Sequence, residues 1–259
     1  MNYLNNRNAI VTGGANGMGR AIALRLAREG ARLVICDIDE KNAEETATSI
    51  REFGSEVLVV KCDASKGTDA KRAIQETVSR FSKIDILINN VGIGYATGSI
   101  TDPSHVLIEN LTEQEWDKVM SINLKSMFLF SKEVAPYMKK QHWGKIVSIS
   151  STAAFTGHGL SGGSGPAYGV SKAGMINLTK TLAQQLGPYN VNVNCIAPGS
   201  VPETAFRMSD QEIRKEEATL PLRRLGKTTN IADAVAFLCS DAAEWITGQT
   251  ISVNGGETM

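Results

Sequence analysis

Tyr168 and Lys172 stand four positions apart in Ala167-Tyr168-Gly169-Val170-Ser171-Lys172, at the start of a pattern that predicts a helix over about 167–186. Residues at i and i+4 rise from one helix face, so a phenol and an ammonium can act together there. A free tyrosine titrates near 10, and bringing it to about 7 takes roughly 4 kcal/mol of preferential stabilisation of the phenolate. A neighbouring lysine cation has the sign for this, which would let the phenol exchange protons at neutral pH. The same spacing also suits an ordinary contact on a helix surface, so other residues must decide.

A second set lies near the N-terminus, where Ala9-Ile10-Val11-Thr12 runs into Gly13-Gly14-Ala15-Asn16-Gly17-Met18-Gly19 and then into a helical pattern. Glycines let the backbone turn tightly and approach a pyrophosphate, whose charge meets the N–H groups and positive end of the following helix. The cradle so predicted spans Gly13, Asn16, Gly17, Met18 and Gly19; a plain strand-to-helix turn is the other reading. Asp37 ends the second apolar run, 24 positions after Gly13. A carboxylate there accepts hydrogen bonds from ribose hydroxyls and repels a 2′-phosphate, and neither Ala15 nor Asn16 offers that phosphate a positive charge. Alone, Asp37 could be a solvated loop acid or helix cap; with the glycines it predicts NAD in preference to NADP.

The elements that must position these residues alternate. Apolar runs at 9–12, 32–36, 57–60, 84–88, 145–149, 191–196 and 250–253 predict seven strands, and helices are expected at about 17–29, 40–53, 67–81, 112–140, 167–186 and 229–239. Strands this short and apolar suit coverage on both faces, and the stretches between them hold crossover helices. The expectation is an α/β fold: a doubly wound, largely parallel seven-stranded sheet with helices on both faces, Rossmann-like. One domain spans 1–259, its cofactor half about 1–143 and its catalytic and substrate half about 144–259. Two long loops, Gly92 to Asn110 and Phe155 to Pro166, follow strands at the end of such sheets where ligands bind.

Taken in order, Thr12-Gly13-x-x-x-Gly17-x-Gly19, Asn89-Asn90-Val91-Gly92, Asn123, Ser151, Tyr168-Gly169-Val170-Ser171-Lys172 and Pro198-Gly199 resemble the motifs of the short-chain dehydrogenase/reductase family, compact single-domain branch, over essentially the whole chain. The resemblance implies reversible hydride transfer between NAD and a secondary alcohol or ketone. Tyr168 exchanges the hydroxyl proton. Lys172, with the positive ring of the oxidised nicotinamide, keeps it acidic and also bonds the nicotinamide ribose. Ser151 donates to the substrate oxygen, and Asn123 binds a water that relays protons toward Lys172. Ser150 competes with Ser151, but in Gly-Lys-Ile-Val-Ser-Ile-Ser-Ser the last serine aligns with the family's position. Ser151 stands 17 positions before Tyr168, a longer gap than is common, so the loop between carries an insertion. The resemblance also places Asp63 and Ala64 at the adenine, Asn90 and Gly92 at the cofactor, and Pro198, Gly199, Val201 and Thr204 at the carboxamide and phosphates. Val91 replaces a commoner alanine, and an extra residue near Pro202 precedes Thr204. Glu203 to Ala218 resembles the segment that closes over substrate. Assembly into a homotetramer, through the helices after the fourth and fifth strands and the C-terminal strand region, is a further implication.

Composition removes other classes. With 27 basic and 27 acidic residues and no basic run, the chain lacks the electrostatic footprint of a nucleic-acid binder. No apolar run approaches the roughly 20 residues that span a bilayer, and Met1 to Arg7 lacks the apolar stretch of a leader, so a cytoplasmic protein without a membrane partner is expected. Four cysteines, three of them inside apolar strand-like runs, read as buried free thiols. His105, His142 and His158 are too scattered for a metal site, although His105 and His158 fall in the long loops. The small-molecule substrate stays open. Ala153, Ala154, Phe155, Val201, Phe206 and Met208 point to a partly apolar pocket, and Gly162-Gly163-Ser164-Gly165 to an adaptable wall, compatible with sugars, polyols, cyclic alcohols, steroids or 3-oxoacyl thioesters. Rival readings are an NADP-dependent 3-oxoacyl reductase, an NAD-sensing or scaffold protein on the same fold, and an epimerase or dehydratase, which would call for a substrate domain the sequence leaves no room for.

Overall fold

Strands whose residues are apolar in succession must be covered on both faces, and the chain meets that demand by winding helices alternately over one sheet. The computed structural model describes residues 3–94, 107–156, 165–202 and 209–259. Its strands are β1 (Asn8–Thr12), β2 (Arg32–Asp37), β3 (Val57–Lys61), β4 (Ile86–Asn89), β5 (Gly144–Ile149), β6 (Val191–Pro198) and β7 (Thr250–Val253). They form one sheet in the order β3-β2-β1-β4-β5-β6-β7, and every pairing is parallel. The order reverses between β1 and β4, which leaves a crevice at their carboxyl ends. All of β1, β4, β5 and β6 is buried.

The helices are α1 (Gly17–Arg28), α2 (Glu40–Glu52), α3 (Gly67–Phe81), α4 (Glu113–Met120), α5 (Ser126–Gln141), α6 (Ala153–Thr156), α7 (Gly165–Leu186), α8 (Asp210–Glu217) and α9 (Thr228–Cys239). One core forms where α1, α2 and α9 bury Ile22, Leu26, Ala47, Ile50, Ile231 and Val235 against the sheet. The other forms under α3, α5 and α7, with Ile74, Phe130, Val134 and Leu186 at its centre.

Three differences from the sequence reading have physical causes. The fourth strand starts at Ile86 rather than Ile84, because Asp85 turns its carboxylate onto the Asn8 N–H at 2.8 Å and the ammonium of Lys83 at 3.0 Å. The single helix expected at 112–140 is divided by a π turn, Ser121–Lys125, that carries Asn123. The short helices α6 and α8 lie in stretches without a helical apolar period; α8 is almost wholly polar, and its capping box of Ser209 and Glu212 is what starts it. The four cysteines are buried and free, but only Cys36 and Cys195 lie in strands; Cys62 follows β3 and Cys239 ends α9. No helix among the described residues is long and apolar enough to cross a membrane.

Candidate active site

The glycine turn is closed by its own backbone. Gly13 and Gly17 adopt left-handed φ of 66° and 53°, which favours residues without a Cβ. Gly19 is demanded by proximity instead: a Cβ there would stand 1.8 Å from the Gly13 carbonyl oxygen. Asn16 is the exposed residue before α1, its side chain making no cap, and Met18 packs against the α1 core. Asp37 faces this turn from the end of β2, and its carboxylate accepts from the Ala15 N–H at 2.9 Å and the Asp39 N–H at 3.0 Å.

Across the crevice, Asn90 follows β4 and donates from Nδ2 to the Thr12 and Gly13 carbonyls at 3.2 and 3.0 Å. Its Oδ1 is buried without a hydrogen-bond partner. A cradle too tight for a side chain at Gly19, a carboxylate at Asp37 and this orphaned acceptor fit a dinucleotide. Asp63 is less available, for Ser65 donates to its carboxylate from both N–H and Oγ, at 3.1 and 2.7 Å, and Lys66 lies 3.3 Å away. The Ser65 hydroxyl chiefly holds that carboxyl below the usual aspartate range. Ala64 is buried beside it.

Asn123 is completely buried, and its position in the π turn aims its amide at the β4 loop. Oδ1 accepts from the Ile93 N–H at 2.7 Å; Nδ2 donates to the Ile93 carbonyl at 2.9 Å and to Ser171 Oγ at 3.0 Å. Both amide hydrogens are thus committed to protein atoms. The held loop lays Gly92 against Lys172, where a Cβ would lie 3.1 Å from Nζ.

The two candidate serines separate clearly. Ser150 is buried and donates to the Lys172 carbonyl at 2.8 Å, which locks the end of β5 to α7. Ser151 is partly exposed; its hydroxyl accepts from the Ala153 N–H at 3.2 Å and meets the Tyr168 hydroxyl. Lys172 is buried, with Nζ donating to the Ile149 carbonyl at 2.8 Å and standing 5.6 Å from the centre of the Tyr168 ring.

Burial raises the Tyr168 pKa above its ordinary 10, and the Ser151 hydrogen bond opposes this only in part. Burial likewise pushes Lys172 down to about 8 and Cys195 beneath it up to about 11. The acidification expected of Tyr168 from Lys172 is not seen: Nζ stands 5.6 Å from the ring centre, and burial of the phenol prevails.

Pro198 ends β6, and Gly199 and Ser200 pass directly beneath the C-terminal tail. Glu257 accepts from Thr152 Oγ1 at 3.0 Å and from the Ser200 N–H at 3.1 Å, and a Cβ on Gly199 would strike its carboxylate. No motif marked Glu257, since its partners lie 105 and 57 positions away in sequence. Val201 is buried and packs into the core under α1 and α9. Thr204, His105, His158, Phe206, Met208 and residues 162–164 lie outside the described residues, as do residues 203–208 of the closing segment. His142 is exposed and caps α5 in a left-handed conformation. Among the described residues no group of three His, Cys, Asp or Glu side chains is placed to hold a metal ion.

The family described as "Enoyl-(Acyl carrier protein) reductase" matches residues 13–258. Human dehydrogenase/reductase SDR family member 4 is 40% identical over 256 residues, 98% of this chain and 88% of that protein. A 3-oxoacyl-(acyl-carrier-protein) reductase of Staphylococcus epidermidis is 39% identical over 257 residues, covering 98% of this chain and all of its own. The crystal structure of levodione reductase superposes with a TM-score of 0.86 at 31% identity, over 98% of both chains.

The lysine yields a measurable linkage. Its folded pKa of about 8 lies below the unfolded value, so between pH 8 and 10.5 the unfolded chain binds the extra proton and stability rises with pH. Relative to Lys172→Met, urea denaturation of the wild type should gain stability across that window, by up to about 3 kcal/mol. Parallel profiles for the two proteins would show that burial does not depress this ammonium.

Proposed function

The chain belongs to the short-chain dehydrogenase/reductase family, and on that premise we propose that it transfers hydride reversibly between NAD and a secondary alcohol or ketone. The carrying observation is the hydroxyl pair of Ser151 and Tyr168, in contact at the mouth of the crevice with the buried Lys172 amine behind. A bound nicotinamide supplies the carbon that accepts or gives hydride. The chain's residues do the rest. Ser151 holds the substrate oxygen beside the phenol, and Tyr168 takes the hydroxyl proton during oxidation or returns it during reduction. Lys172, fixed by the Ile149 carbonyl, lends positive charge to the phenolate. Asn123 sustains the proton route by holding the β4 loop and Ser171 against this cluster, in addition to any water it binds.

Asp37 supports NAD over NADP. Its carboxylate already accepts from the N–H of Ala15 inside the glycine turn, so a 2′-phosphate would meet a fixed negative charge. Asn16 and Ile38, exposed on either side of the crevice rim, carry no compensating cation. A cytoplasmic location fits the absence of a membrane-spanning helix among the described residues. Assembly as a homotetramer is supported by an open groove along α4, the π turn and α5, lined by Met120, Leu124 and Phe128 with Asp117 and Lys125 at its rim. Phe128 is 48% exposed there, and Val170 on α7 is 47% exposed. The substrate class is a secondary alcohol or ketone of sugar, polyol, cyclic, steroid or 3-oxoacyl type; the name of the Staphylococcus epidermidis relative favours a 3-oxoacyl carbonyl.

Three outcomes test this. Tyr168→Phe should lower kcat about 100- to 10,000-fold, the span attributed to general acid–base catalysis, while NADH still binds by fluorescence; undiminished turnover removes the mechanism. Wild-type kcat/KM should favour NAD over NADP, and Asp37→Ala should narrow that ratio about tenfold, one phosphate contact's worth of roughly 1.4 kcal/mol. A wild-type preference for NADP overturns the cofactor assignment. Multi-angle light scattering should return four times the 27.8 kDa chain mass, and a monomer at micromolar concentration rules out the assembly.

A further inference from the structure

The β4 loop crosses the Tyr168 ring with bare backbone. A Cβ built on Gly94 would stand 3.0 Å from Cδ2, 3.3 Å from Cε2 and 3.6 Å from Cγ of that ring. Gly94 is buried, and its φ is not in the left-handed region that by itself calls for glycine. Contact with the ring, rather than backbone conformation, is therefore what a side chain here would violate.

Neither partner can retreat freely. One residue earlier, the Ile93 peptide is gripped on both its N–H and its carbonyl by the buried Asn123 amide. On the other side, the Tyr168 carbonyl accepts from Ser171 Oγ at 2.7 Å, and the phenol's own hydroxyl meets Ser151. Gly92 differs in kind: a Cβ there would meet only side-chain ends, Lys172 Nζ at 3.1 Å and Cε at 3.8 Å and Asn123 Oδ1 at 3.7 Å. A rigid ring cannot give way in that manner.

We propose that Gly94 is a positioning residue for Tyr168, its unsubstituted backbone forming the wall that keeps the phenol hydroxyl within reach of Ser151 and the substrate oxygen. Substitution by alanine pushes the ring sideways by a few tenths of an ångström or more, in a reaction whose rate falls steeply with misplacement of the reacting groups. The inference rests on the dehydrogenase reading above only for its kinetic consequence; the packing constraint stands on the contact itself.

The experiment uses the full-length enzyme with NAD and whichever secondary alcohol the wild type oxidises. Gly94→Ala should lower kcat about 10- to 100-fold, with KM for NAD and the Kd for NADH within twofold of wild type. Unchanged kcat, or a loss matched by equal loss of NADH affinity, overturns the positioning role. A stability cycle runs in parallel and needs no turnover. The Tm penalty of Gly94→Ala should vanish when Tyr168 is also replaced by alanine, and a single variant that fails to fold should fold as Gly94→Ala/Tyr168→Ala. Persistence of the penalty in the double variant overturns the contact. If the wild type oxidises no alcohol and reduces no ketone, the dehydrogenase reading fails, while the cycle still decides the contact.

Discussion

One buried amide holds the site together. Asn123 bonds both polar groups of the Ile93 peptide and the hydroxyl of Ser171, and so ties three segments from distant parts of the chain: the helix that crosses after β4, the loop that leaves β4, and the helix that carries Tyr168 and Lys172. A buried amide with satisfied hydrogen bonds specifies geometry more sharply than an apolar contact, because each bond has a direction and leaving one unmade is costly. The π turn follows from this demand. An extra residue in the turn rotates Asn123 off its own helix and toward the loop, a use of irregular helix that recurs at functional sites.

From that tie the rest of the arrangement follows. Because Ile93 is held, the glycines on either side of it lie close to the ammonium of Lys172 and the ring of Tyr168. Because Ser150 bonds the Lys172 carbonyl, the end of β5 stays fixed to the same helix, and Ser151 one position later is left free to meet the phenol. Neighbouring serines thus divide the labour, one structural and one facing the crevice. The cost is electrostatic: burial brings the Lys172 pKa down to about 8 although its ammonium donates to the Ile149 carbonyl, and burial likewise raises that of Tyr168.

The opposite wall is built from the end of the chain. Glu257 joins the Ser151-Thr152 turn to the Gly199-Ser200 turn, and Ser200 in turn donates its hydroxyl to Glu216 of α8 and accepts from the Gly226 N–H. Three segments that shape the crevice therefore converge on Ser200.

Sequence alone determined the strand order along the chain, the larger helices between strands, the parallel sheet, the glycine turn and the i,i+4 placement of Tyr168 and Lys172, because each rests on hydrophobic period, turn chemistry, or a spacing that any helix honours. It also placed Ser151 over Ser150, by alignment with a family pattern rather than by any property of the two side chains. Tertiary structure decided what depends on contacts between remote segments: that Asn123 spends its amide on Ile93, that Val201 and Met18 turn into the core, that Glu257 anchors the wall, and that Gly94 lies on a phenol 74 positions further on. A glycine required by its own φ is legible as a turn residue. A glycine required by a neighbouring ring is legible only when the ring is in place.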